Sequence, residues 1–374
     1  MRRSLILVLL AAGAAPGARA QGALGVQGYG YPTGQLGAAA RAVGGATAEV
    51  DPATLLNPAA LAMPSRFSIA MQFEPEFRRT TIGGAEATSS TMRFPTFLAT
   101  GGVGRFTGGV SFSTFLDRTW ENVYADSQVI AGDIVPSTLS AASRGAITDA
   151  RFAVAYVLNP RIQVGLALHA ITGENRLVFG RTFPDSSGIA GVSQGSTINY
   201  TGRAISAGVL YAPTKAFLIG ASARFGGGLE ARQDGLTLAT ADVPDRFGAS
   251  LSWLGIPNTA FSARVERTAW SSMQPLGTAQ MTTFDATDIG IGVDVVGPRI
   301  AGAPSTARLG YRDRTLPFGV NGDQVSEHGL SGGVAIPLAR GRVQIDLSLQ
   351  RAIREAAGAR ERAWFFSIGL GVRP

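Results

Sequence analysis

Two stretches near the carboxy terminus, VQIDLSLQ at 343–350 and WFFSIGLGV at 364–372, place apolar side chains at every second position. Val343, Ile345, Leu347 and Leu349 share one side, opposite Gln344, Asp346, Ser348 and Gln350, and Trp364, Phe366, Ile368, Leu370 and Val372 oppose Ser367 and Gly369. A period of two is the signature of a strand with one apolar face. It recurs at 246–254, where Ser250 and Ser252 oppose Phe247, Leu251 and Trp253, and at 288–296, where Asp294 opposes Ile291, Val293 and Val295. After residue 21 no apolar run approaches the ~18–20 residues a spanning helix needs. Such a chain has two solutions: a sandwich that buries its apolar faces against a second sheet, or a closed barrel that turns them outward to lipid.

The connections decide between them. Alternating segments number about fourteen, each of roughly eight to fourteen residues, an even count within the range of bacterial membrane barrels. Turn-like linkers rich in Gly, Pro or Asn occupy 101–105, 159–160, 212–215, 255–258 and 338–341. Long polar connections at 116–149, 172–197 and 226–245 intervene, with 297–305 intermediate in length. Short turns at one rim and long loops at the other describe a transmembrane, antiparallel up-and-down β-barrel of about 14 strands. A sandwich has no reason to keep that alternation.

The first twenty residues, MRRSLILVLLAAGAAPGARA, combine a basic start, an apolar run over 5–12 and a small-x-small ending. This pattern predicts a signal peptide over 1–20 and export, with a mature chain starting at Gln21. The 374-residue chain has no cysteine and two histidines, His169 and His328, which excludes disulfides, thiolate metal sites and a cysteine nucleophile. The formal charge of +7 falls to about +4 once Arg2, Arg3 and Arg19 leave with the signal. The remaining arginines are dispersed, and no basic patch with interleaved aromatics marks a nucleic-acid partner. Near an outer-leaflet surface, arginines suit lipid and lipopolysaccharide phosphates.

RAVGGATAEVDPATLLNPAALAMPSRFSIAMQF, at 41–73, resembles the amino-terminal region of the FadL-like outer-membrane transporters, the long-chain fatty-acid and hydrocarbon transport family. The matching residues are Asn57, Pro58 and Ala59, preceded by Gly44, Gly45, Ala46 and Asp51. The stretch 308–350 is similar to the last strands of such proteins, although the chain ends Val372-Arg373-Pro374 rather than on an aromatic residue. The resemblance implies a hatch over 21–64 inside a barrel formed by 65–374, in the outer membrane of a bacterial cell. A fourteen-strand barrel is too wide for its own side chains to fill, so an unplugged one leaks. Within the hatch, Asp51 is expected to cap a short helix starting at Pro52. Pro58 would then interrupt it and leave Asn57 to bond the wall, or Asn57-Pro58 simply terminates it.

The resemblance further implies passive, hatch-gated diffusion of a hydrophobic small molecule. Capture would occur in a groove by the loops at 172–197 and 226–245, where Leu177, Val178, Phe179, Leu236 and Leu238 are apolar; the alternative is that these residues extend the strands. Exit would be sideways at a kink in the third strand, for which Gly108 and Gly109 are the candidates. By facing, Arg224, Arg264, Arg308 and Arg312 are candidates for a carboxylate head group, with Glu266 among the acids available to pair them. An enzyme is the weaker class, because neither histidine has a local serine and acid pattern and no metal or cofactor set is present. A third class uses the same barrel as an anchor or shuttle for exported proteins, with the 116–149 loop and its Trp120 and Tyr124 as contact surface. The barrel-assembly machinery is a partner during insertion under either membrane reading.

Overall fold

The computed structural model describes residues 30–63, 67–82, 84–276, 282–300 and 303–373. The expected signal peptide lies outside the described residues. Fourteen antiparallel strands form the wall: β1 (Phe67–Ile82), β2 (Ala85–Val103), β3 (Phe106–Asp117), β4 (Asp133–Asn159), β5 (Ile162–Thr182), β6 (Val192–Thr214), β7 (Phe217–Gln233), β8 (Arg246–Ile256), β9 (Thr259–Thr268), β10 (Ala286–Ile300), β11 (Ala303–Val320), β12 (Asp323–Leu338), β13 (Val343–Ala356) and β14 (Ala359–Val372). β14 pairs back onto β1, from Val372 opposite Ile69 to Arg360 opposite Thr81, and closes the barrel. Three further strands join the sheet in addition to this ring: Tyr31–Pro32, Trp120–Ile130 and Leu236–Asp242.

The alternation read from the sequence sets the two faces. On β14, Trp364, Phe366, Ile368 and Leu370 are exposed outward while Ala363, Phe365 and Ser367 are buried inward; on β8, Phe247, Leu251 and Trp253 point out and Ser250 and Ser252 point in. This is the inverse of a soluble core. Apolar side chains cover the outside, and serines, arginines and carboxylates fill the inside, as a wall seated in lipid requires.

Where the sequence suggests long loops, the structure carries much more strand. β4, β5 and β6 run for 27, 21 and 23 residues, about twice the ~9–11 that cross a bilayer. The excess rises above the long-loop rim, where Trp120–Ile130 pairs with the top of β4 and Leu236–Asp242 with the top of β7. Leu177, Val178 and Phe179 therefore lie within β5, opposite residues 141–143 of β4 and 194–196 of β6. Polarity misleads here because strand above the membrane faces water on both sides, so nothing forces alternation.

Candidate functional site

Residues 30–63 pack against inward-facing groups from strands all round the wall. Glu49 N–H donates to Ser250 Oγ on β8 at 3.2 Å, Gln35 Nε2 to Ser113 on β3 at 2.6 Å, Gly44 N–H to Ser331 on β12 at 3.0 Å, and Arg151 on β4 to the Leu55 carbonyl at 2.7 Å. Small residues let this backbone approach so closely. The five-residue helix α1 (Ala38–Ala42) sits against β11 to β14, and a 3-10 turn at Pro58–Ala62 against β3 to β6. Wall glycines complete the fit: a Cβ at Gly310 would enter the Val43–Gly44 backbone, and one at Gly208 the Asn57 side chain.

The Asn-Pro-Ala motif works differently from the expected Asp51-capped helix. Asn57, not Asp51, is the cap: its Oδ1 accepts from Ala59 N–H at 2.9 Å, and Pro58 starts the turn instead of interrupting a helix. Asn57 Nδ2 also donates to the carbonyls of Glu49 at 2.8 Å and Val209 of β6 at 3.1 Å, so this one side chain ties the turn to the segment and to the wall. Asp51 instead closes a tight turn, accepting from Ala53 N–H at 2.9 Å. It borders a cleft of about 100 Å³ that opens beside β1, β13 and β14 at the short-turn rim.

Burial pushes the Asp51 carboxyl up to about 6, with Asp346 and Asp294 adding repulsion, against the Ala53 hydrogen bond and Arg308, which favour the ionised form. Because the folded value exceeds the ~4 of an unfolded chain, its contribution to stability is complete below ~4 and is lost as pH rises through about 6. We expect Asp51→Asn to keep that contribution at pH 7.5, about 1 kcal/mol given the partial access of water. Unfolding of wild type and variant in detergent at pH 5 and pH 7.5 checks this; equal pH dependence would refute it.

The four candidate head-group arginines are all lumenal, and three already hold acids. Arg308 pairs with Asp294 at 2.7 Å and Asp346 at 2.6 Å, Arg264 with Asp288 at 3.2 Å and closely with Glu266, and Arg312 with Asp288 at 2.9 Å. Arg224 differs: it reaches the Pro244 carbonyl at 3.2 Å, stands 5.0 Å over the Phe115 ring and has no carboxylate within ion-pair distance among the described residues. His169 joins a chain that the sequence concealed. Its Nδ1 meets Asp149 at 2.9 Å and its Nε2 meets Ser206 Oγ at 2.8 Å, across the adjacent strands β4, β5 and β6. All three are at most 6 % exposed, and Asp149 also accepts from Gln35 at 2.9 Å. The chain therefore acts as a strut between wall and segment.

Above the segment, toward the long loops, the lumen turns apolar. Phe115, Leu116, Ile147, Ile171, Leu229 and Val243 form a cluster completed by Trp270 and Met273, which arrive on a 3-10 turn at Trp270–Leu276 after β9. Trp270 stacks on Phe115 at 5.3 Å, and a cleft of about 50 Å³ beneath them is lined by Leu56, Arg224 and Arg246. Of the proposed groove residues, Leu236 and Leu238 are exposed on the outer hairpin, and Leu177 to Phe179 are half-buried on β5. None belongs to this cluster. Trp270 and Met273 were missed because their loop has no period to read.

Gly108 and Gly109 sit in unbroken ladder, opposite Gly101 and Thr100 of β2 and Val154 and Ala153 of β4. The kink expected there lies instead at Phe115, where the register to β4 shifts between Thr114 and Leu116. A larger break is close by. Pairing between β2 and β3 stops at Thr96 opposite Ser113, leaving 85–95 without a partner on that side among the described residues. Across the resulting slit, Arg93 Nε donates to Asp117 at 2.5 Å and also pairs with Glu76 at 2.6 Å, and Tyr31–Pro32 pairs with Asp117 and Leu116 from within. Outside, Met92 and Phe94 are among the most exposed apolar side chains of the wall.

No family model matches the chain, and no curated protein does. Solved structures do. A Pseudomonas aeruginosa FadL homologue superposes with a TM-score of 0.63 at 14% identity, over 92% of this chain and 99% of that one. The toluene transporter TodX of P. putida gives 0.60 at 14% identity, over 93% and 99%, and the CymD monoaromatic hydrocarbon channel 0.54 at 14% identity, over 96% and 98%. The fold is that of the FadL-like outer-membrane transporters. Two of these solved structures are transport proteins by name, TodX for toluene and CymD for monoaromatic hydrocarbons. Among the described residues no helix is long and apolar enough to cross a membrane, and no three His, Cys, Asp or Glu side chains are placed to hold a metal.

Proposed function

We propose that the protein is a passive bacterial outer-membrane route for hydrophobic small molecules, with residues 30–63 as its hatch and the slit between β2 and β3 as its sideways exit. The observation that carries this reading is the slit: it is the break in the ladder beside the apolar Phe115–Trp270 cluster, and Arg93 spans it. A molecule entering between the long loops would meet that cluster while sheltered from water, then leave between β2 and β3 once Arg93 releases Asp117. The structural likeness to hydrocarbon channels supports the same reading. An uncharged hydrocarbon suits the interior better than a fatty acid, because Arg264, Arg308 and Arg312 are already neutralised. Of the four candidates, Arg224 alone is left to meet a carboxylate.

The test is uptake of labelled toluene, hexadecane and oleate by proteoliposomes. The native chain has no cysteine, so cysteines introduced at Arg93 and Asp117 and bridged by a short bismaleimide close the slit selectively. Bridging is expected to lower uptake about tenfold, in line with the loss of a gating motion. Unchanged uptake removes the slit from the route. Uptake absent from the wild type overturns the transport reading, and the tall platform of β4 to β6 with Trp120–Ile130 would then favour the anchor for exported proteins.

A further inference from the structure

On the outward face of the wall, three arginines gather where β13, β14, β1 and β2 meet. Arg362 and Arg79 are direct cross-strand partners, and Arg351, one row lower, is opposite Trp364 with its guanidinium 5.6 Å from that ring. Like charges facing each other across a ladder are destabilising. Acids do little to relieve this pair: Glu86 is 3.9 Å from Arg79, Glu355 is taken by Arg360 at 3.0 Å, and among the described residues no carboxylate is within ion-pair distance of Arg351 or Arg362. Elsewhere on this rim the outermost charges have mixed signs, as in Asp313 with His328 at 2.5 Å or Arg267 with Asp285 at 3.5 Å. One other facing pair, Arg144 and Arg176 across β4 and β5, stands higher, with the polar Glu174 and Thr172 below it, whereas the Arg79–Arg362 pair sits directly on apolar wall and calls for an external anion.

Its height says which anion. Below Arg362 on the same strand, the outward residues Trp364, Phe366, Ile368, Leu370 and Val372 are all apolar. Eight residues at ~3.4 Å each make about 27 Å of strand, or roughly 21 Å of height at a ~40° tilt, close to the ~25 Å apolar band of a membrane barrel. Arg362 and Arg79 therefore stand one row above the hydrocarbon, on the long-loop side, where lipid headgroups lie. The arginines, with the hydroxyls of Thr88 and Ser90, line an open cleft of about 630 Å³. Phe366 packs edge-on against Phe77 at 5.9 Å and continues the greasy surface downward.

We infer that Arg79, Arg351 and Arg362 form a binding site for the phosphate groups of an outer-leaflet glycolipid, with Trp364 and Phe366 against its acyl chains. Planar guanidinium forks match phosphate oxygens two at a time, which a lysine point charge does not. The site needs the barrel to lie in the outer membrane, as proposed above, but not that it transport anything.

The test uses intact protein purified in a neutral detergent and titrated with diphosphorylated lipid A in mixed micelles, followed by the part of the tryptophan emission that Trp364→Phe removes and by native mass spectrometry. Two control probes run beside it: the same lipid without phosphates, and inorganic phosphate. Arg351→Gln/Arg362→Gln is expected to weaken binding of the phosphorylated lipid at least about tenfold, and Arg351→Lys/Arg362→Lys by less, whereas Arg267→Gln on the far side of the rim leaves it unchanged. The dephosphorylated lipid should bind as weakly to wild type as the phosphorylated lipid does to the double glutamine variant. Equal binding by wild type and that variant, or by the two lipids, overturns the site; inorganic phosphate competing at micromolar concentration assigns it to a free anion and overturns the lipid. Toluene uptake by the same variants separates the two ideas. Normal uptake with lost lipid binding supports the site, and absent uptake by wild type with intact lipid binding sinks only the transport reading.

Discussion

Replacing Gly310 with leucine is expected to make the closed barrel leak. Gly310 lies on β11, paired on both sides with Gly292 of β10 and Ser331 of β12, so the wall there is fixed by ladder hydrogen bonds and cannot bow outward. Its missing side chain is occupied by the backbone of Val43 and Gly44, and the same turn is pinned by Ser331, which accepts from Gly44 N–H at 3.0 Å and donates to the Ala42 carbonyl at 3.1 Å. Four extra carbons cannot be accommodated by a rotamer change, because the first of them already overlaps main chain. The segment must lift from β10 to β12 while the wall keeps its register. We expect permeability to large water-soluble solutes to rise by about tenfold or more, as an unplugged barrel of this width becomes a pore. Gly108→Leu is the control: a Cβ there meets nothing within 4 Å and points to lipid, so the barrier should hold. Entry of a bulky hydrophilic antibiotic into cells carrying each variant gives the comparison. A tight Gly310→Leu barrel would mean that the segment is not what closes the lumen.

The contrast between these two glycines shows how far the sequence could be read. Strand number, facing and closure were legible because lipid on one side and a polar lumen on the other impose a strict period of two, as at Phe247, Ser250 and Trp253. Placing Asn57 against the wall was also within reach, since its amide bonds the Val209 carbonyl. The gate was not. Gly108 and Gly109 look flexible on paper, yet ladder bonds to both neighbours hold them, and the true discontinuity beyond Thr96 depends on which strand pairs with which. Asp149, His169 and Ser206 likewise come together only through the register of three strands. Local patterns encode facing, whereas such clusters are encoded in pairings between residues far apart along the chain.

The interior also explains how a polar filling can be firm, and Arg354→Met is expected to be the most destabilising single change in it. Arg354 is fully buried on β13, with Nε on Glu327 at 2.5 Å, Nη2 on Glu76 at 3.0 Å and Nη1 close to Glu361, and its guanidinium stands 4.4 Å over the Tyr31 ring. Glu327 would keep Arg314, and Glu76 would keep Arg78 and Arg93. Among the described residues, Glu361 would keep only the Thr80 hydroxyl at 3.0 Å, as a buried carboxylate with no counter-charge. Breaking a buried pair from one side costs about 3–5 kcal/mol, whereas an exposed pair such as Arg360 with Glu355 is worth at most about 1 kcal/mol. The unfolding midpoint in detergent should therefore fall sharply for Arg354→Met and hardly move for Arg360→Met. If the stranded charge is the cause, Arg354→Met/Glu361→Gln must regain more than half of the loss, because the second change removes the orphan the first created. Strictly additive losses would instead assign the effect of Arg354 to its packing on Tyr31, and the start of the segment would then be held by ring contacts rather than by the ion network.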